Sequence, residues 1–182
     1  MKNLKIIVAL VLSISLFSCI NKEYDTSIKK LDNLKDTLVS IKTNLKEINS
    51  NKISLLYDTM MQDIDTIMSY TNVFPENKEW KKAYDIYSDA AHIAKKFFKQ
   101  GYDKEIEYSE NQIKNLITDI NNNVVELDSL RIYLKDEVNA VDALNKKVNI
   151  QLEISNQIID KYDRTKPIVN QYIDSLKNTV KH

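Results

Sequence analysis

The stretch LDNLKDTLVSIKTNLKEI, residues 31–48, decides the fold because its apolar side chains recur at alternating spacings of three and four. This repeat is typical of a helix that packs along a narrow apolar seam against another helix. We refer to it as the first seam. Lys52 occupies its next apolar position, close to Asn49–Asn51, and this indicates either a local break or a polar residue that sets the register. The positions of the first seam are Leu31, Leu34, Leu38, Ile41, Leu45, Ile48 and Leu55.

A second seam follows Gly101 and keeps a seven-residue phase over a much longer stretch. Because this phase passes from Ile120 to Leu127 without slipping, we expect one continuous or gently bent helix through Asn121–Asn123. The sequence then predicts that this helix ends or kinks near Pro167, with a last amphipathic helix over residues 167–180. The seam positions are Ile106, Ile113, Leu116, Ile120, Leu127, Leu130, Leu134, Val141, Leu144, Val148 and Ile158.

The middle of the chain differs from both seams because it is rich in aromatic residues: ten of the fourteen that follow residue 18 lie within residues 57–108. Aromatic side chains bury large areas and suit a thicker core. Pro75 predicts a turn near residues 72–77. A short helix over about residues 76–100 follows, with Gly101 as its C-terminal cap.

Composition supports a fold made only of helices. One Gly and two Pro in 182 residues leave few reversals of the kind that strands need. We therefore predict an all-α protein, an elongated antiparallel helical bundle or coiled coil with a small aromatic-rich helical head.

Residues 24–182 are predicted to form a single helical domain. Residues 24–56 pair with 124–163 as a coiled-coil stalk, and residues 57–123 form the head. The competing fold is a compact bundle in which the first and third helices fold back on themselves.

The N-terminal segment has the features of an export signal. Lys2 and Lys5 precede an apolar run from Ile6 to Phe17, which is shorter than the roughly 20 residues of a permanent membrane span. The run ends in Leu16, Phe17, Ser18 and Cys19, a stretch that resembles the lipobox of bacterial lipoproteins.

That resemblance covers residues 1–19 and implies that residues 1–18 are a removable signal. Cys19 then carries the lipid, including acyl chains such as palmitate, and residues 19–23 form a short tether. Because Cys19 is the only cysteine of the chain, it has no disulfide partner, which agrees with lipidation. The implied location is the bacterial cell envelope. The outer membrane is favoured over the inner, because Ile20 replaces the Asp that retains lipoproteins at the inner membrane, and exposure at the cell surface stays open.

The charge balance and the scarcity of catalytic residue types exclude several classes of function. Removing residues 1–18 leaves 24 basic and 26 acidic residues, so we expect no nucleic-acid partner. With His92 and His182 as the only histidines, we expect no metal site, and the single Gly excludes Gly-rich phosphate loops. We expect no catalytic residues and no cofactor, and we interpret Asp58, Asp63 and Asp65 as a solvated helix face.

These observations predict a non-enzymatic interaction or scaffold protein, held to the membrane by its lipid and presenting the head to an unidentified protein partner. Trp80, Tyr84 and Tyr87 are the candidate contact residues of the head. The alternative interpretation is that the aromatic residues only fill the core of the head. A rival function is an oligomeric coiled-coil spacer or peptidoglycan-associated lipoprotein in which copies of the chain pair through the seams, and a small-ligand carrier is a third.

Overall fold

The computed structural model describes the backbone of residues 2–70, 77–97 and 101–179, with side chains from Lys22 onward in those ranges. The described ranges contain five α-helices: α1 (Lys2–Glu47), α2 (Ser50–Tyr70), α3 (Lys78–Phe97), α4 (Tyr102–Asn121) and α5 (Leu127–Thr179). The prediction of an all-α helical bundle is confirmed. Within these ranges, none of the helices combines the length and the apolar character that a membrane span requires.

The chain forms two compact units. Unit 1 consists of α1 up to Thr43 together with Tyr102–Lys147, and unit 2 consists of Asn44–Gly101 together with α5 from Val148 onward. Each unit therefore has its own segment of α5, which supplies buried positions to both.

In unit 1, α4 and α5 run antiparallel. The Lys147 ammonium donates to Glu105, in the first turn of α4, at 2.8 Å. The last residue of α4, Asn121, is followed after a short turn by the first residue of α5, Leu127. The start of α4 thus lies beside residue 147, and its end lies beside the start of α5.

The direction of α1 in unit 1 follows from two further ion pairs. Glu23 bonds Arg131 near the start of α5, and Lys42 donates to Glu110 in the first half of α4 at 2.6 Å. Because α1 meets the start of α5 first and the early part of α4 later, α1 is parallel to α5 and antiparallel to α4.

Unit 2 repeats this pattern with different helices. The last residues of α1 and all of α2 run parallel to α5, since Asn44 bonds Asn149 at 2.8 Å and Lys166 bonds Asp63 at 2.5 Å. Helix α3 runs antiparallel to α5, because the Trp80 ring contacts the Tyr172 ring in a tilted arrangement near one end of the pair, with ring centroids 5.0 Å apart. Lys161 donates to Asp89 further along.

The predicted stalk of residues 24–56 against 124–163 needs correction in two ways. The two segments are parallel where they pair, and α4, expected in the head at 57–123, packs with α1 and α5 in unit 1. The prediction treated α4 and α5 as one helix and missed the reversal between them. It therefore gave α5 the direction of α4, which is antiparallel to α1. Most seam positions are nevertheless buried within the single chain as expected.

The first seam fails at Leu55, which is 67% exposed. The side chain of Asn49 accepts the Lys52 amide at 2.8 Å, as an N-cap of α2 does. This new helix start changes the phase of the apolar face, so Ile53, Leu56 and Met60 are buried in place of Leu55.

The predicted continuous helix through Asn121–Asn123 is wrong, because α4 ends at Asn121. The Val124 amide donates to the Asp119 carbonyl and the Asn123 amide to the Ile120 carbonyl, both at 3.0 Å. Asn123 has a φ of 55°. This pair of bonds with a left-handed residue is the Schellman arrangement, which terminates a helix. Asparagine tolerates the left-handed region better than most residues, and that explains how an Asn run ends the helix.

Pro167 lies inside α5, so the predicted separate helix over residues 167–180 is the final part of α5 as far as Thr179. Proline removes one helical hydrogen bond and costs ~3 kcal/mol in a helix interior. Buried residues on both sides of it, Thr165 and Val169, favour continuation of the helix. Tertiary packing thus offsets the local cost.

Gly101 separates α3 from α4 as predicted, but its φ is not positive, so it is not a left-handed cap. Two predictions lie outside the described residues: the turn at Pro75 and the position of His182.

Candidate functional site

The first side chains that follow Cys19 in the described part of α1 attach that helix to the start of α5. Cys19 itself lies within α1, where side chains are not described. The Arg131 guanidinium donates to both carboxylate oxygens of Glu23, at 2.6 and 2.9 Å, and also to Asp128 at 2.9 Å. A bidentate pair of this kind fixes orientation better than a single contact between charges.

Tyr24 makes the neighbouring contact. Its hydroxyl donates to the backbone carbonyl of Val125, in the turn between α4 and α5, at 3.0 Å. Carbonyls in such a turn have no helical donor, so a side-chain donor satisfies one of them. We call Glu23, Tyr24, Val125 and Arg131 together the anchor clip, because they join the segment after Cys19 to the α4–α5 turn.

The electrostatics of the anchor clip follow from the Glu23–Arg131 pair. The hydrogen bond from Arg131 is the largest cause that lowers the pKa of the Glu23 carboxyl below its ordinary value, and the positive charge of Arg131 acts in the same direction. The same hydrogen bond raises the pKa of Arg131. Both groups lie at the surface, so solvent screens their interaction, and the clip serves to orient α1 more than to stabilise the fold.

A shallow groove of about 280 Å³ lies beside the anchor clip, between α1 and α5 of unit 1. Thr26, Ser27 and Lys30 line one wall, and Leu134 and Val138 belong to the other. Its mixed lining and open form differ from the concave, mostly apolar sites that bind small molecules.

In unit 2, the predicted contact residues of the head are placed differently from the prediction. Tyr87 is fully buried and Tyr84 is 8% exposed, so neither offers its ring to a partner. Trp80 is partly buried, packs against the unit 2 core and contacts the Tyr172 ring at a tilt of 35°. The alternative interpretation, in which these aromatic residues fill a core, is the one that their burial supports.

A polar cluster crosses that aromatic core. The Tyr87 hydroxyl and the Lys166 ammonium both donate to Asp63, and the Tyr87 ring stacks on Tyr162 with centroids 5.8 Å apart. Burial raises the pKa of the Tyr87 hydroxyl, and the hydrogen bond to Asp63 raises it further.

The Asp63 carboxylate is 15% exposed and is not part of a solvated face as the sequence had suggested. A mostly buried carboxylate needs such donors because an unpaired one is costly. The sequence carried a weak signal for this placement: Asp63 lies between the apolar positions Met60 and Ile67 on the same face of α2.

The described ranges 22–70, 77–97 and 101–179 contain no group of three or more His, Cys, Asp or Glu side chains that could hold a metal ion. His92 is exposed on α3. The chemical groups brought together in these ranges are ion pairs and aromatic stacks that orient helices.

Comparison with known proteins gives no relative. No protein-family model, no curated protein and no solved structure matches the chain.

The anchor clip makes a prediction about pH. Because the pKa of Glu23 is lowered in the folded chain, the clip is fully formed above the ordinary value of 4.5 and is lost as pH falls through the lowered pKa. In an NMR titration of the Glu23 carboxyl carbon, Arg131→Gln should raise the midpoint toward the ordinary value.

Arg164→Gln is the matched control. Arg164 is the only other arginine of the chain and belongs to unit 2, 33 positions further along the sequence. The Glu23 midpoint should not respond to it. Equal midpoints in the wild type and in the Arg131→Gln protein would show that the clip does not form in solution.

Proposed function

We propose that this chain is a lipoprotein of the bacterial cell envelope, anchored through Cys19, and that its helical units act as a non-enzymatic interaction or scaffold module. The observation that carries the proposal is the lipobox-like stretch from Leu16 to Cys19, placed at the end of an apolar run of signal length. The absence of Asp after Cys19 favours the outer membrane.

The anchor clip supports the proposal because it leaves almost no slack after Cys19. The chain is helical from Lys2 to Glu47, and Glu23 follows Cys19 by four residues. At 1.5 Å per residue, the first tertiary contact lies ~6 Å along the helix from the lipid-bearing residue. The helical units are thus joined to the lipid by a stiff link.

The burial of the seams bears on the rival function. The seam positions Leu31, Leu38, Ile113 and Val141 are fully covered within one chain. They therefore offer nothing for a second copy to cover, and this favours a module that works through its outer surface over a spacer assembled through its seams. Among the residues of unit 2 that the structure describes, the large apolar side chains that lie exposed are Leu55, Met68, Tyr70 and Ile150.

The anchoring half of the proposal is tested by substituting Cys19. In a bacterial host fed a palmitate analogue that can be tagged, the wild type should incorporate the label, and its intact mass should show that residues 1–18 have been removed. The Cys19→Ala protein should carry no label and should keep residues 1–18, because the thiol sulfur is the atom that is alkylated.

Ser18→Ala is the control, since it keeps a small residue beside the cleavage site and should behave like the wild type. Anchoring is disproved if the wild-type chain carries a free Cys19 thiol or retains residues 1–18.

The interaction half is tested with a photo-cross-linking amino acid placed on unit 2. Position 55 is 67% exposed and position 53 is fully buried on the same helix. A cross-linker in place of Leu55 should give a discrete adduct to another protein in cells, whereas one in place of Ile53 should give none. If the cross-linker gives no adduct at position 55 or at any of the other three exposed apolar positions named above, a partner-binding role for unit 2 is contradicted.

A further inference from the structure

We propose that the turn between α4 and α5, residues 121–125, is a second membrane contact, with the Val124 side chain inserted among the lipids beside the anchor. This inference rests on the proposed anchoring of Cys19. It adds a surface and a ligand class, the interface of the bilayer itself.

The position of the turn follows from the anchor clip. Tyr24 bonds the backbone of Val125 directly, and Glu23 bonds Arg131 in the second turn of α5. Tyr24 follows Cys19 by five positions and Glu23 by four in an unbroken helix, which corresponds to ~8 and ~6 Å along its axis. A lipid on Cys19 therefore brings the α4–α5 turn close to the membrane surface.

The chemistry of the turn fits a lipid interface. Residues 120–125 read Ile-Asn-Asn-Asn-Val-Val and carry no charge, in a chain in which 29% of residues are charged. Val124 is 70% exposed, the highest value among the large apolar side chains that the structure describes as exposed. Apolar groups gain by leaving water, and the neighbouring Asn amides can bond to headgroups.

Backbone hydrogen bonds of the turn hold the Val124 side chain in its exposed position. The Val124 amide is held by the Asp119 carbonyl, and Asn123 adopts the left-handed conformation that ends α4. A side chain fixed by backbone bonds loses little conformational freedom when it enters the interface. Two more exposed apolar residues, Ile132 and Tyr133, lie in the second turn of α5.

The charges around the turn indicate whether the membrane contact needs anionic lipids. In the neighbouring sequence and the anchor clip, three basic residues face four acidic ones: Lys22, Arg131 and Lys135 against Glu23, Asp25, Glu126 and Asp128. This balance offers no excess of positive charge, so anionic lipids are not required. We therefore expect the contact to form equally well on a bilayer of neutral lipids.

The test uses the cysteine count of the chain. Lipidation converts the only native thiol into a thioether, so a cysteine introduced at another position becomes the single free thiol of the mature protein. Purified lipidated Val124→Cys protein is labelled with the fluorophore bimane and placed in phosphatidylcholine vesicles. A fraction of the lipid carries bromine near the glycerol end of its acyl chains, which quenches fluorophores at that depth.

The expected result is a drop of about two-fold in bimane fluorescence on brominated vesicles, because interfacial groups reach ~5–10 Å into the headgroup and acyl boundary. The drop should be the same when half of the lipid is replaced by phosphatidylglycerol. Thermal unfolding by circular dichroism should match that of the wild type, because the substitution is at an exposed side chain.

Val39→Cys is the matched control. Val39 is also a valine of unit 1 and is 60% exposed, but it lies about 30 Å along α1 from Cys19. Its bimane should not be quenched by the brominated lipid.

The two possible failures are distinguishable. A second reactive thiol in the Val124→Cys protein shows that Cys19 carries no lipid and overturns the proposed function together with this inference. A single thiol with no more quenching at position 124 than at position 39 leaves the anchor intact and overturns the membrane contact alone. Quenching that appears only with phosphatidylglycerol would contradict the neutral contact proposed here.

Discussion

The apolar stripe of α5 is the constraint on which the rest of the structure depends. A 53-residue helix with a buried face cannot exist alone in water, so other helices must cover that face along its length. In unit 1, α1 and α4 cover Leu130, Val141 and Leu144, and in unit 2, α2 and α3 cover Ile158 and Val169. Each unit is thus a three-helix solution to the same burial requirement.

The two units meet this requirement with different side chains. Unit 1 uses Leu, Ile and Val at heptad spacing. Unit 2 combines the small residues Ala90, Ala91 and Ala94 of α3 with the aromatic rings of Tyr87 and Tyr172. Small residues let neighbouring helices approach, and the rings fill the wider space that remains. The polar cluster at Asp63 fits inside this core because two donors satisfy its carboxylate.

The sequence predicted that these segments are helical and predicted most buried positions, because a heptad repeat is a local signal of a helix face that becomes buried. It did not predict directions. The phase from Ile120 to Leu127 is preserved across a reversal, so periodicity could not reveal the turn. The Asn121–Asn123 run was the better signal, since Asn both weakens a helix and tolerates the left-handed φ seen at Asn123.

The candidate site was predicted less well than the fold, for a physical reason. Exposure of Trp80, Tyr84 and Tyr87 was inferred from composition, whereas burial depends on which helix lies opposite. The anchor clip joins Glu23 to Arg131 over 108 positions, and no local pattern encodes such a pair. The sequence did carry one chemical signal for the proposed anchoring, which is the single cysteine at the end of an apolar run.

The central claim is that the segment of α1 that follows Cys19 is fastened beside the start of α5, which makes the two helices parallel in unit 1. Pulsed electron paramagnetic resonance on residues 20–182 tests it with spin labels at the exposed positions Lys22 and Glu126, compared with Lys22 and Lys146. The 22–126 distance should be the shorter one by well over ~10 Å, since 20 residues, or ~30 Å of helix, separate the two partner positions. A 22–146 distance that is equal or shorter would rule out the parallel arrangement of α1 and α5 in unit 1.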